Sequence, residues 1–308
     1  MAMRNSDMDL ALDQLSIDGV TYTRNDNLLG KGGFGVVFSG YGSDGSNVAI
    51  KYQFICERNP KDRLLEEYRI HRDLTKSDKN NHIVRLIGMD ETPKAISFVL
   101  ELAHQSLFDK LKARSVTPED AQNYFHSLIN GIQFMHSKMY VHCDIKPQNL
   151  LICDGRLKIA DFGKAKKMAN KNQKYKNGEC IGTKEYAAPE LWKEQHVQGQ
   201  PLDVWCAGIV LLQLTQSSLE FWDVADNSDK KYARWVELTK GGKQTRADFC
   251  YKFKTATTAL LKRMLSEEPE QRYSIEEIKQ DPCFIGETAV RKRKATGNAG
   301  KSAKRGKN

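Results

Sequence analysis

The stretch His142-Cys143-Asp144-Ile145-Lys146-Pro147-Gln148-Asn149 decides the fold and the chemistry of this chain. It places a carboxylate, an ammonium group and an amide on one short loop, because Lys146 and Asn149 follow Asp144 at two and five residues. The apolar run 157–160 then predicts a short strand that ends at Asp161-Phe162-Gly163, which supplies a second carboxylate. Carboxylate and amide oxygens suit Mg²⁺ held against phosphate groups. The pattern therefore predicts a site that handles a phosphorylated compound.

A glycine-rich segment lies far upstream, at Gly30-Lys31-Gly32-Gly33-Phe34-Gly35-Val36-Val37. Its three spaced glycines allow backbone N–H groups to approach phosphate oxygens closely. A simple hairpin turn and a dinucleotide-binding loop are the alternatives. The dinucleotide loop requires a helix directly after the glycines, whereas β-branched residues follow here. The segment is therefore predicted to be a hairpin lid over phosphates.

The run Val48-Ala49-Ile50-Lys51 predicts a strand that ends in a lysine. A lysine in an apolar setting needs an anionic partner, because an unpaired buried charge is very costly. Glu67 on a predicted helix over 61–75 fits this role best, with Glu66 as the near alternative. Taken alone, the two glutamates are also consistent with a solvated helix face.

Ala188-Pro189-Glu190 follows these motifs further along the chain. In the order and spacing of all these motifs, residues 19–285 resemble the eukaryotic protein kinases. The chain more narrowly resembles the checkpoint effector kinases (checkpoint kinase 1-like, CAMK group), which act in DNA-damage signalling. Three segments carry the narrower resemblance: Pro118-Glu119-Asp120-Ala121-Gln122 with Tyr124-Phe125-His126; Leu202-Asp203-Val204-Trp205 with Gly208-Ile209-Val210-Leu211; and Phe221-Trp222-Asp223 with Asp229, Tyr232 and Trp235.

The resemblance implies an α+β, bilobal protein-kinase fold. It divides the chain into an N-terminal extension (1–18), a β-rich N-lobe with one helix (19–100), a hinge (101–104), a mainly helical C-lobe (105–285) and a disordered basic tail (286–308). The sequence pattern predicts the C-lobe helices at residues 202–215, 232–238, 257–265 and 274–279, with a further helix that starts at Thr117-Pro118. Strands are predicted at 83–87 and 96–100.

The resemblance also implies a set of functional residues, with ATP and Mg²⁺ as ligands. The residues expected to enclose the nucleotide are Leu29, Gly30, Gly32, Gly35, Val37, Ala49 and Leu151, with Leu100 as gatekeeper and the hinge Glu101-Leu102-Ala103. Asp144 is the expected catalytic base, Lys146 the phosphate contact, and Asn149 and Asp161 the metal ligands. The expected supporting residues are the Lys51–Glu67 ion pair, Thr183 on the activation loop, Asp203, and the Glu190–Arg272 pair. The Lys146-Pro147 form implies Ser or Thr substrates.

Two departures from the family are informative. Cys143 stands where these kinases usually have an Arg that meets an activation-loop phosphate, and residues 164–182 contain no Ser or Thr, only Tyr175. We therefore predict that phosphorylation of the activation loop does not switch kinase activity on or off.

The second departure concerns the charge preference for substrates. Gln148 and the segment His104-Gln105-Ser106 remove negative charge where a substrate Arg would bind, and six lysines lie in the loop at 164–176. A strict preference for Arg is thus in doubt, unless other carboxylates compensate.

Charge and composition limit the remaining functions. The formal net charge is +9, but the segment 291–308 holds eight basic residues and no acidic one, which leaves about +1 for residues 1–290. Lys292-Arg293 and Lys304-Arg305-Gly306-Lys307 match a two-part nuclear import signal, so we expect an import receptor as a partner and a nuclear location, with a cytoplasmic location otherwise. A solvated tail and nonspecific nucleic-acid attraction are the alternatives.

The remaining expectations concern disulfides, targeting segments, partners and a function without catalysis. Seven scattered cysteines argue against a disulfide framework, and we expect neither a secretory signal nor a membrane span. Protein substrates and a monomeric state are expected. A catalytically silent scaffold with the same fold is the alternative function, although the parts required for catalysis are all present in the sequence.

Overall fold

A computed structural model describes residues 12–176, 178–180, 182–239 and 255–285 of the chain. A β-rich N-lobe and a mainly helical C-lobe meet at the predicted hinge, so the predicted α+β bilobal class is confirmed. The strands are β1 (Gln14–Ile17), β2 (Val20–Lys31), β3 (Gly35–Gly42), β4 (Asn47–Phe54), β5 (Leu86–Glu91), β6 (Ala95–Glu101), β7 (Gln105–Ser106), β8 (Tyr140–Val141), β9 (Leu150–Cys153), β10 (Arg156–Ile159), β11 (Lys166–Lys167), β12 (Lys174–Lys176) and β13 (His196–Gln198). The helices are α1 (Lys61–Ser77), α2 (Leu107–Lys112), α3 (Pro118–Ser137), α4 (Glu190–Lys193), α5 (Gly199–Gln216), α6 (Lys230–Thr239), α7 (Thr255–Met264), α8 (Ile275–Gln280) and α9 (Pro282–Ile285).

The N-lobe is a six-stranded antiparallel sheet in the order β1-β2-β3-β4-β6-β5. Strand β1 lies in the segment 1–18 that the sequence analysis assigned to an extension outside the domain. The two edge strands, β1 and β5, lie in contact. Gly88 of β5 is so close to β1 that a Cβ at this position would lie 2.5 Å from Cγ2 of Ile17. Leu15 is buried in the N-lobe core. Residues 14–17 are thus part of the N-lobe, and its start at 19 is corrected.

The strand predicted at 83–87 begins later, at Leu86. Ile83 and Val84 are fully buried, but they join the C-lobe rather than the sheet. Ile83 forms a parallel bridge with Ile159 of β10, and the Val84 N–H donates to the Ile159 carbonyl at 2.9 Å. The strand prediction for Ile83 and Val84 is wrong because burial at the junction of the two lobes gives the same apolar sequence pattern as a strand.

The C-lobe is built around helices α3 and α5. Thr117 caps α3 through a reciprocal capping box with Asp120, which explains why the helix starts where the sequence predicted. Helix α5 is buried along almost its whole length. The residues that carried the narrower resemblance line an aromatic cluster beside it, in which the Trp222 ring lies 6.1 Å from that of Trp205 and 5.4 Å from that of Tyr232.

A buried ion pair fixes helix α4 to the C-lobe. The Arg272 guanidinium donates to both carboxylate oxygens of Glu190 at 2.6 Å, as the sequence analysis expected. Its remaining N–H groups reach the carbonyls of Ser266, Pro201 and Glu267 at 2.8–3.3 Å. Both side chains are at most 3% exposed.

No described helix is long and apolar enough to cross a membrane. The tail at 286–308 and the import motif within it lie outside the described residues.

Candidate active site

The catalytic loop holds the Asp144 carboxylate in a fixed position. Its Oδ1 accepts hydrogen bonds from the backbone N–H and the hydroxyl of Thr183, both at 2.8 Å. Its Oδ2 lies 2.9 Å from the Lys146 ammonium, which also donates to the Thr183 hydroxyl at 2.6 Å. All three residues are among those predicted for the site, and the structure brings them into one hydrogen-bonded group.

Close packing of the activation segment on this loop requires a glycine. A Cβ at Gly182 would lie 2.4 Å from the Cys143 carbonyl oxygen and 2.6 Å from Oδ1 of Asp144. Any larger residue would therefore push Thr183 away from Asp144. This requirement at Gly182 could not be predicted from the sequence, since a lone glycine in a loop carries no such signal.

Asn149 contacts Asp144, and Asp161 lies next to Lys51. The Asn149 amide donates to the Asp144 carbonyl at 2.9 Å and to its carboxylate at 3.2 Å. This arrangement orients the amide and leaves its Oδ1 without a donor among the described residues. That oxygen and the half-exposed Asp161 carboxylate are hard ligands of the type that Mg²⁺ takes together with nucleotide phosphates. The described residues contain no group of three or more His, Cys, Asp or Glu that could hold a metal ion.

Lys51 joins the two lobes through carboxylates. Its ammonium lies 2.8 Å from Glu67 Oε1 and 3.2 Å from Asp161 Oδ1. Burial alone would lower its pKa, but the Asp161 and Glu67 carboxylates outweigh that effect and raise it above the ordinary value. The Lys51 charge in turn lowers the pKa of Asp161 to about 2. Glu66, the near alternative, is exposed and lies 3.5 Å from Arg69, so Glu67 is the partner.

Phe162, the residue after Asp161, packs against two histidine rings. Its ring is buried and packs 4.6 Å from the ring of His71 on α1 and 5.5 Å from that of His142. Burial lowers the pKa of His71 to about 4, and its Nε2 lies 2.6 Å from the Val84 carbonyl oxygen. The neutral imidazole therefore donates to Val84 while it packs on Phe162. Sequence reasoning missed His71, although it lies one helical turn after Glu67.

The residues predicted to enclose a nucleotide base meet at the lobe junction. Ala49 and Leu100 are directly paired between β4 and β6. Leu100, Ala103 and Leu151 pack on one apolar cluster, together with Val84. The Ala103 N–H forms no hydrogen bond to any residue that the structure describes, so it can donate to a base. The geometry fits a flat, apolar ligand bound at the predicted hinge.

The glycine lid lies above this pocket as the turn between β2 and β3. The Gly32 N–H donates to the Gly35 carbonyl at 2.9 Å, and Val37 pairs with Gly30 across the hairpin. A Cβ at Gly35 would lie 2.2 Å from the Tyr52 carbonyl oxygen, so glycine is required there. Leu29 is 46% exposed before the turn, so its side chain can still contact a ligand.

The hinge carries a second ion pair that the sequence did not indicate. Lys158 of β10 donates to both carboxylate oxygens of Glu101 at 2.7 and 2.8 Å, and the Arg85 N–H donates to the same carboxylate. Glu101 was predicted only to offer backbone hydrogen bonds. Its side chain is instead fixed from the C-lobe side, which orients the adjoining backbone.

Asp203 of α5 fixes the catalytic loop through hydrogen bonds to its backbone. Its carboxylate accepts the backbone N–H groups of His142 and Cys143 at 2.9 Å, as expected, and also contacts His136 Nε2 at 2.9 Å. A separate groove of about 890 Å³ opens between α3 and α8. Its lining includes the supporting residue Arg272, but none of the residues predicted to contact nucleotide, metal or substrate.

Comparison with known proteins agrees with this geometry. A family model described as the protein kinase domain matches residues 23–284. The chain belongs to the protein kinase domain family. Relatives of this kinase domain include the Serine/threonine-protein kinase chk-1 of Caenorhabditis elegans (33% identical over 263 residues, 83% of this chain and 51% of the relative) and of Caenorhabditis briggsae (35%, 83% and 52%). The CBL-interacting protein kinase 10 of Oryza sativa subsp. japonica is 33% identical over 262 residues, which is 83% of this chain and 55% of that protein. The chain thus spans about half the length of the curated relatives it matches.

The kinase domain differs from its family where an activation-loop phosphate would bind. A hydrogen bond to Cys180 and then burial raise the pKa of the Cys143 thiol well above its ordinary value. A neutral thiol cannot bind a phosphate as an Arg would. Tyr175 is buried, its hydroxyl donates to the Lys167 carbonyl at 3.1 Å, and its strand β12 pairs with β13. Packing and strand pairing thus hold the segment without a phosphate.

We therefore expect the Tyr175→Phe variant to keep its phosphoryl-transfer rate within about twofold, because the substitution removes one hydrogen bond of about 1 kcal/mol and no modification site. Steady-state transfer to a generic protein substrate is the measurement. Tyr41→Phe, at an exposed tyrosine, is the matched control. A loss of about tenfold or more in Tyr175→Phe alone would show that this hydroxyl has a regulatory role.

Proposed function

We propose that this kinase domain transfers the terminal phosphoryl group of ATP to Ser or Thr hydroxyls of protein substrates. The observation that carries the proposal is the position of the Asp144 carboxylate, held by Thr183 and Lys146 in the same cleft as the Lys51–Glu67–Asp161 group. The names of the relatives and the Lys146-Pro147 form support Ser and Thr over Tyr.

Each residue has a defined task in this reaction. Asp144 accepts the proton of the substrate hydroxyl, and its fixed carboxylate orients that hydroxyl toward the nucleotide. Lys146 steadies the negative charge of the transferred group, while Lys51 positions the nucleotide phosphates. Asn149 and Asp161 would hold Mg²⁺, which neutralises phosphate charge when bound. A catalytically silent scaffold remains the alternative function, but no described feature favours it, because every required side chain is in place.

The test is transfer of radiolabel from ATP to generic protein substrates by the wild type and by Asp161→Asn. We expect the wild type to label substrate and the variant to lose about 10²–10³-fold of the rate, as removal of one charge-stabilising group does. An exposed control, Asp44→Asn, should keep the wild-type rate. Equal labelling by the wild type and Asp161→Asn would refute the proposal.

We further propose that the kinase acts in a DNA-damage or cell-cycle checkpoint. The similarity to the chk-1 relatives and the segments around Trp222 and Asp229 support this role. Cells that lack the protein should fail to delay division after DNA damage, and the wild type should restore the delay. Restoration by Asp144→Ala would instead favour the scaffold.

We also propose that the basic tail directs the protein to the nucleus by binding acidic grooves of an import receptor. A fluorescent fusion should concentrate in the nucleus, and Ala at Lys304, Arg305 and Lys307 should abolish this concentration. Ala at Lys171, Lys174 and Lys176 is the charge-matched control. Nuclear accumulation of the tail variant would contradict the assignment.

A further inference from the structure

Gln53 is a buried amide on strand β4, two residues after Lys51. Side chains two residues apart on a strand lie on the same face, so Gln53 and Lys51 both point toward helix α1. Gln53 is only 8% exposed. A buried amide is costly unless its polar atoms are hydrogen-bonded, so the partner of this side chain indicates what it does.

That partner is the second oxygen of the Glu67 carboxylate. Gln53 Nε2 donates to Glu67 Oε2 at 3.0 Å, while Lys51 Nζ lies 2.8 Å from Oε1. An ionised carboxylate only accepts hydrogen bonds, so the NH₂ end of the amide is the end that faces Glu67. Strand β4 thus supplies one charged donor and one neutral donor to the two oxygens of a single buried carboxylate.

The Oε2 oxygen of Glu67 lies in a confined space between the two lobes. A Cβ at Gly163 would lie 2.9 Å from this oxygen and 3.4 Å from Oδ1 of Asp161. Among the described residues, the Gln53 amide is the donor that reaches Oε2. Without that amide, a buried carboxylate oxygen would lose its hydrogen bond, and the Glu67 side chain would gain by turning away from this position.

We propose that Gln53 is a positioning residue for phosphoryl transfer, whose amide fixes Glu67 so that Glu67 holds Lys51 at the nucleotide phosphates. This inference rests on the proposed kinase function. The Lys–Glu pair has to be in place for transfer, and activation-loop phosphorylation commonly controls it in protein kinases. In this domain, the packing of Tyr175 and the pairing of β12 with β13 hold the loop without a phosphate. The position of α1 therefore depends on contacts of its own, and the Gln53–Glu67 hydrogen bond is one of them.

The backbone that carries the amide is itself fixed by the glycine lid. Gly35 pairs with Gln53 between β3 and β4, and a Cβ at Gly35 would lie 3.3 Å from the Gln53 Cα. The next residue, Phe54, donates its N–H to the Phe34 carbonyl at 2.9 Å. The amide is therefore preorganised, because neither its backbone nor its buried side chain has to be ordered when the nucleotide binds.

The test is steady-state transfer by the full chain to a generic protein substrate, with ATP and substrate varied in turn. Gln53→Met keeps most of the side-chain length and removes the donor. We expect the KM for ATP to rise and kcat/KM for ATP to fall about tenfold or more, the size of one hydrogen bond to a buried charged group. The KM for the protein substrate should not change. A merely structural defect would instead lower kcat through a smaller folded fraction and leave both KM values unchanged. Gln14→Met, at an exposed position of the same sheet, is the matched control.

A double-mutant cycle identifies the group through which the amide acts. In a Glu67→Gln background, which already lacks the carboxylate, Gln53→Met should lower kcat/KM for ATP by about twofold or less. Gln53→Asn keeps an amide but withdraws it by one methylene group, so it should show the same selective loss at about threefold or more, even if Gln53→Met does not fold. A wild-type kcat/KM for ATP in both single variants, or an equal loss in the Glu67→Gln background, would overturn the inference. Absence of transfer by the wild type would instead refute the kinase function.

Discussion

Replacing Asp144 with Asn is expected to lower kcat by about 10²–10⁴-fold, the range that a positioned general base contributes. The amide has nearly the same shape, so it can still accept hydrogen bonds from Thr183 through its oxygen. It cannot take up the proton of the substrate hydroxyl at neutral pH. The loss should therefore appear in kcat, with little change in the KM for ATP.

Steady-state kinetics of the purified chain measures this effect, and a thermal unfolding curve shows that the variant is folded. Asp154→Asn is the matched control, because this carboxylate is exposed in the turn between β9 and β10 and should leave kcat unchanged. A decrease of less than about tenfold in Asp144→Asn would mean that Asp144 is not the base.

The Arg272→Met variant is expected to lose about 3–5 kcal/mol of unfolding free energy. The substitution keeps much of the apolar side-chain length, but it leaves the Glu190 carboxylate buried without its two hydrogen bonds of 2.6 Å. Three backbone carbonyls also lose their donor. Since domains of this kind are stable by about 5–15 kcal/mol, the variant should be close to the limit of folding.

Urea denaturation followed by tryptophan fluorescence measures this loss, because Trp205 stacks on the Arg272 guanidinium at 4.8 Å. The control is Arg114→Met, which removes an exposed ion pair with Glu220 and should cost about 0–1 kcal/mol. If both variants unfold at the same urea concentration, the buried pair does not stabilise the C-lobe.

The catalytic centre could be predicted from the sequence because its residues lie in short motifs. Asp144, Lys146 and Asn149 share one loop, and Asp161 follows a strand that returns to it. The sequence favoured Glu67 as the partner of Lys51 and kept Glu66 as the near alternative, and Glu67 is the buried glutamate that pairs with Lys51. In each case, the chemistry restricts both residue type and spacing.

The contacts that the sequence did not predict join distant segments through ordinary residue types. Lys158 and Glu101 lie 57 residues apart, and neither belongs to a motif whose spacing would pair them. His71 gave no signal, since a buried histidine on a helix has the same pattern as any core residue. The apolar residues Ile83 and Val84 indicate burial, but their sequence does not indicate which lobe buries them.

Strand β1 has a practical consequence for anyone who produces this domain in recombinant form. The family match starts at residue 23, so a truncated protein cut at that boundary would lack Leu15, a buried core residue, and the Leu12 carbonyl that accepts the Tyr52 hydroxyl. Tyr52 directly follows Lys51 on β4, and the same cut would remove residues 20–22 of β2, which pair with β1. Affinity tags should therefore be attached upstream of residue 12.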